Sequence, residues 1–100
     1  MSRTATLDAG RVRETARMLR CLGHPVRLRI LELLERTGER TVGEIWQALK
    51  LDQAVCSQHL GLMLDRGVLK RRKEGVNAYY SLGDPRALKI VACIRGSASL

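Results

Sequence analysis

The strongest constraint on this chain is a change of hydrophobic period at Gly67. Before it, apolar residues recur three and four apart. After it, two short segments, Val68 to Lys73 and Val76 to Leu82, alternate around Glu74-Gly75. The two periods cannot belong to one element, because a helix repeats its face every 3.6 residues and a strand every two. The fold must therefore close several helices against a β-hairpin with a basic tip. A chain of 100 residues supports one hydrophobic core. Residues 1–100 are accordingly expected to form a single domain, with 1–7 and 96–100 as flexible ends.

Breakers divide the helical part. From Asp8 to Leu22, Val12, Ala16 and Leu19 fall on one face, with Arg11, Arg13, Glu14 and Arg17 elsewhere. Gly23-His24-Pro25 ends that run, and Pro25 suits the first turn of the next helix, where its missing N–H has no partner to lose. Val26, Leu28, Ile30, Leu31, Leu33 and Leu34 form the broad apolar surface of a core helix, which stops at Thr37-Gly38. Thr41-Val42-Gly43-Glu44 reads as a capping box and predicts a helix over 42–49 with Ile45 and Leu49 inward. After a tight Lys50-Leu51 connection, Asp52 caps a helix running to about Arg66. Asp84-Pro85 reads as an N-cap and first helical position, opening a last helix to about Ile94 with Leu88, Val91 and Ile94 on one side. The order α-α-α-α-β-β-α, mainly α with a β-hairpin, describes a winged helix-turn-helix.

Composition sharpens the functional reading. With no Phe and 3% aromatic residues, the core must be aliphatic. A net charge of +8 fits a polyanionic partner, and on charge alone DNA, RNA and a membrane surface all stay open. Three Cys, at 21, 56 and 93, are an odd number without a secretory leader and do not suggest a disulfide scaffold. No apolar run approaches the ~18 residues of a membrane span, so a cytoplasmic chain without membrane contact is expected. A Gly-rich phosphate loop, an acid pair and a nucleophile–base arrangement are all missing, which argues against an enzyme and against a cofactor.

The fourth helix carries the most specific chemistry. Cys56, Leu60 and Met63 share one face, and Ala54, Ser57, Gln58 and Gly61 share the opposite one. That second face is small and polar. Gln can pair with adenine through two hydrogen bonds, and Ser can serve several bases. Base contacts are therefore expected from Gln53, Ala54, Ser57 and Gln58, in the half of a recognition helix that reaches base edges. Backbone contacts are expected from Thr41, His59 and the wing residues Arg71, Arg72, Lys73 and Asn77. The plain alternatives are a solvated helix face and a solvated charge run.

Three segments carry a family likeness. Leu22-Gly23-His24-Pro25-Val26-Arg27-Leu28-Arg29-Ile30-Leu31 resembles the start of ArsR/SmtB repressors. Leu51-Asp52-Gln53-Ala54-Val55-Cys56-Ser57-Gln58-His59-Leu60 resembles that family's recognition helix. Asp65 to Gly75, followed by Ala78-Tyr79-Tyr80-Ser81-Leu82, resembles its wing. The resemblance covers roughly residues 10–95. It implies a repressor that binds a palindromic DNA operator as a homodimer through its first and last helices, and that an inducer releases. Val12, Ala16, Leu19, Leu88 and Val91 are then expected near the interface.

The family's usual metal ligands are missing from this sequence. Trp46 and Ala48 stand where one common site needs thiolates, and the last helix offers Asp84 without a His. No metal is expected, since the pairs Cys21/His24 and Cys56/His59 supply only two ligands each. Cys21 and Cys93, on the two interface helices, remain as a candidate redox or thiophilic sensor, with inert small hydrophobes as the alternative. The competing functions are a protein-interaction module on the same fold and a repressor with no small-molecule inducer.

Overall fold

The computed structural model describes residues 6–96. The expectation of flexible ends falls largely on residues 1–5 and 97–100, outside that range. Five helices and a small sheet follow in the order α1 (Ala9–Leu22), α2 (Pro25–Thr37), β1 (Arg40–Thr41), α3 (Val42–Leu49), α4 (Gln53–Asp65), β2 (Leu69–Glu74), β3 (Asn77–Leu82) and α5 (Arg86–Arg95).

The helix ends follow from local chemistry. Asp8 caps α1 by accepting from Arg11 N at 3.0 Å. His24 caps α2, its Nδ1 accepting from Val26 N at 3.1 Å, and Pro25 takes the first turn. The Thr41–Glu44 capping box is formed in both directions: Glu44 N donates to Thr41 Oγ1 at 3.2 Å and Thr41 N to Glu44 Oε1 at 2.9 Å. Lys50 then takes a left-handed conformation, φ 56° and ψ 48°, which folds the chain from α3 directly into α4. Arginines of α2 close the ends of its neighbours. Arg27 Nη1 donates to Cys21 O at 2.9 Å, and Arg29 Nη2 to Leu49 O at 3.4 Å.

Ile30, Leu31, Leu33 and Leu34 of α2 form the centre of the core. Met18, Cys21 and Leu22 reach them from α1, Ile45 from α3, Cys56, Leu60 and Met63 from α4, and Val68, Leu69, Ala87 and Val91 from the hairpin and α5. Burying each large member stabilises the fold by about 1.5–3 kcal/mol. Arg95 holds the end of α5 to α2 through ion pairs with Glu32 and Glu35.

The hairpin turns at Gly75, whose φ of +62° a side chain would oppose. Its register pairs Leu69 with Leu82 and Glu74 with Asn77. At its base, Gly83 N donates to Val68 O at 2.8 Å, and a Cβ at Gly83 would lie 2.9 Å from Leu69 C.

Three features depart from the sequence reading. Arg40–Thr41 forms a third strand against β3, giving the sheet order β1-β3-β2. Two residues carry no legible period, and the cap signal there conceals the pairing. The N-cap of α5 is Pro85, one residue later than expected, with Asp84 Oδ1 accepting from Arg86 N at 2.9 Å. Val91, expected at a dimer interface, is buried within the protomer, because it lies one turn beyond Ala87 on the α5 face that packs on α2.

Candidate nucleic-acid interface

The two faces of α4 separate cleanly. Cys56, Leu60 and Met63 are fully buried, while Gln53, Ala54, Ser57 and Gln58 are all exposed. Asp52 fixes the helix start, its Oδ1 accepting from Ala54 N at 2.9 Å and Val55 N at 3.1 Å. The first turn therefore presents side chains rather than orphan amides. Val55, 41% exposed, and Gly61 widen the same surface; they add apolar contact and close approach.

The wing divides along its pleat. On β2, Leu69, Arg71 and Lys73 share one face, and Lys70, Arg72 and Glu74 the other. Arg71 and Lys73 are exposed and form no ion pair among the described residues. Arg72 is placed differently. Its Nη2 and Nε donate to the Glu39 carboxylate at 3.0 and 3.2 Å, its Nη1 to Glu74 at 3.2 Å, and its guanidinium lies 4.8 Å from the centre of the Tyr79 ring. These hydrogen bonds raise the pKa of Arg72 and hold the Glu39 carboxyl below its usual range. Arg72, expected as a DNA-backbone contact, is engaged within the fold in this structure, because β1 brings Glu39 alongside it. Asn77 is exposed beside the fully exposed Val76 at the tip.

Two further expected contacts are committed elsewhere. The Thr41 hydroxyl serves the α3 cap. His59 is half-buried and turned inward, its Nδ1 accepting from Arg27 Nε at 3.1 Å, with its ring 4.6 Å from that of His24. Arg27 is the partner of His59 that sequence reasoning missed. It sits on the polar side of a core helix, and nothing local shows that it reaches across to α4.

The candidate sensor pair does not assemble on one surface. Cys21 is buried and Cys93 exposed. Burial pushes the Cys21 thiol up, against the smaller opposing pull of Arg27 and Arg66. A sensing thiol must be accessible and acidified, and Cys21 is neither. Cys56 is likewise pushed up by burial. Among the described residues, no three potential ligands cluster as a metal site, and no helix is long and apolar enough to cross a membrane.

Opposite this chemistry lies an apolar surface on α1. Val12 and Leu19 are 46% and 47% exposed, and Ala16 is exposed between them. With Leu7 and Pro85 they line an open groove of about 1100 Å³. Leu88 of α5 is also exposed.

Residues 22–72 match a helix-turn-helix domain family. The transcriptional repressor PagR of Bacillus anthracis is 38% identical over 78 residues, which cover 78% of each chain. Its crystal structure superposes with a TM-score of 0.82, covering 87% of this chain and 99% of that one. A homodimeric winged helix-turn-helix DNA-binding domain from Mycobacterium bovis, described as a possible ArsR-family transcriptional regulator, superposes with a TM-score of 0.76 at 27% identity, over 96% of this chain and 88% of that one. This chain belongs to the ArsR/SmtB family. As a family member it is a DNA-binding transcriptional regulator rather than an enzyme, and the homodimeric Mycobacterium bovis domain shares its fold. A probable mercury resistance operon repressor of Streptomyces lividans is 38% identical over 81 residues, and this chain spans 64% of its length.

Proposed function

We propose that this ArsR/SmtB chain represses transcription as a homodimer on a palindromic operator, with α4 in the major groove and the wing on the flanking backbone. The observation that carries the reading is the two-sided α4. Its inner face is wholly buried, and its first two turns offer Gln53, Ala54, Ser57 and Gln58 outward without a charge among them. A neutral hydrogen-bonding face gains little from phosphates and much from base edges. Arg71, Lys73 and Asn77 supply the positioning contacts. The dimer forms through the apolar surface of α1, Val12, Ala16 and Leu19, together with Leu88 of α5. A two-fold axis there sets the spacing of two reading helices about 34–36 Å apart.

Two measurements test this reading. Sedimentation gives a dimer at micromolar concentration, and Leu19→Asp gives a monomer that still folds. A salt titration of binding to a duplex enriched by the protein gives a steep negative slope. A stable wild-type monomer, or binding indifferent to salt, would overturn the proposal.

A further inference from the structure

Behind the reading face, two imidazoles and a guanidinium meet at the junction of α1, α2 and α4. Arg27, half-buried on α2, donates through Nη1 to Cys21 O at 2.9 Å and through Nε to His59 Nδ1 at 3.1 Å. The first bond closes the last turn of α1, and the second grips α4 directly after Gln58. His24, the cap of α2, lies with its ring 4.6 Å from that of His59, tilted by 59°. Its own Nδ1 accepts from Val26 N.

We infer that Arg27 is a positioning residue for DNA recognition, a bolt that joins the α1 helix to the reading helix only while His59 is neutral. The inference rests on the reading of α4 given above. Its chemistry follows from the donor count. A guanidinium only donates, so the His59 atom facing Arg27 Nε must offer a lone pair. His59 must therefore carry its proton on Nε2. A second proton on Nδ1 removes the acceptor and sets an imidazolium against a guanidinium. The charged and titratable groups acting on His59 are Arg27 from α2 and His24 from the α1–α2 junction. From α1 the contact with Arg27 is the Cys21 carbonyl, and among the described residues no carboxylate is one of the groups acting on His59. Burial, then His24 and Arg27, hold His59 below the ordinary imidazole range.

The consequence is mechanical. The buried face of α4 fixes how deep the helix sits, while the polar contact at His59 resists its rotation. Reading bases demands placement within about 0.5 Å. Through Cys21 O the same guanidinium holds the end of the helix whose apolar surface is assigned to the dimer. Reading helix and dimer surface are thus tied through one side chain.

The sign of the pH dependence separates this role from a phosphate contact. The binding-competent state takes up the His59 proton less readily than an unconstrained imidazole. Affinity and stability are therefore both retained above the ordinary value of about 6.5, and lost as the pH falls below it. A His59 that touched phosphate would do the opposite and bind tighter in acid.

The test uses the full chain and a duplex that it enriches from a randomised library at neutral pH. The expected result is a severalfold loss of affinity from about pH 7.5 to about pH 5.5 at constant salt. His59→Asn keeps an acceptor oxygen near the Nδ1 position and cannot titrate. It should bind within about twofold of the parent at neutral pH, with the acid loss much reduced. Arg27→Gln should bind more weakly at neutral pH and also lose most of the pH dependence. Independently of DNA, a nuclear magnetic resonance titration of the unsubstituted protein should place His59 below about 6.5 with its proton on Nε2. Tighter binding in acid, an unchanged pH profile in both variants, or a raised His59 value overturns the bolt. Failure to enrich any duplex overturns the reading of α4 and the positioning role with it, whereas enrichment with a flat parental profile overturns the bolt alone.

Discussion

In the proposed complex α4 and the wing face the same polyanion, and they are built on opposite plans. The outward face of α4 carries Gln53, Ala54, Ser57 and Gln58, without a charge. The wing packs Lys70, Arg71, Arg72 and Lys73 into four consecutive positions. Charge attracts every sequence alike, while hydrogen-bond pattern distinguishes one base pair from another. Under the proposed function, the contrast assigns reading and holding to separate elements. It also shows that cations in the wing are not equivalent, because Arg72 is occupied by Glu39 and Glu74 while Arg71 and Lys73 are not.

The largest effect that would sharpen this comparison lies beneath it. Leu60 is fully buried on the inner face of α4. Leu60→Ala should cost about 2–5 kcal/mol of stability, measured by denaturant unfolding, and should weaken binding to all duplexes through loss of folded protein. Stability within experimental error of the parent would mean that α4 is not held by its core face.

Next comes Gln58→Ala. It should cost ~1–3 kcal/mol per half-site at one base position and leave the salt slope intact. A panel of single-base operator variants checks this, and a uniform loss across the panel would break the division between reading and holding. Arg71→Ala should act in the other sense. Binding should fall across every sequence, and the salt slope should flatten by about one per protomer.

The smallest effect on the salt slope is expected for Arg72→Ala, because that guanidinium already has carboxylate partners. Its exposed ion pairs contribute little to stability, so both binding and melting temperature should change less than for Arg71→Ala. A slope change equal to that of Arg71→Ala would show that Arg72 exchanges Glu39 for phosphate.

Much of this candidate interface is legible in the sequence alone. The α4 residues alternate buried and exposed at helical spacing, so period assigns Cys56, Leu60 and Met63 inward, and Gln53, Ser57 and Gln58 outward. The Thr41–Glu44 box and the Asp52 cap are legible because each acts within three residues of chain. The placements that the sequence does not show have one cause in common. Arg72, His59, Val91 and Cys21 are decided by partners distant in sequence: Glu39 across the sheet, Arg27 on α2, the α2 face beneath α5, and the core around the end of α1.

The sequence by itself determined the helices and the hairpin, their order and the hairpin's basic character. Those properties depend on side-chain period, caps and turn residues, which act over a few neighbouring positions. Only the tertiary structure decided which cation is free, which cysteine is buried, that Arg40–Thr41 completes a sheet, and that Arg27 ties two helices together. A charged group's role depends on the atoms within hydrogen-bonding reach, and folding brings those together from positions separated by as many as 63 residues. The exposed polar face of α4 belongs to one helix and could be foreseen; the Arg27 contacts behind it join three helices and could not.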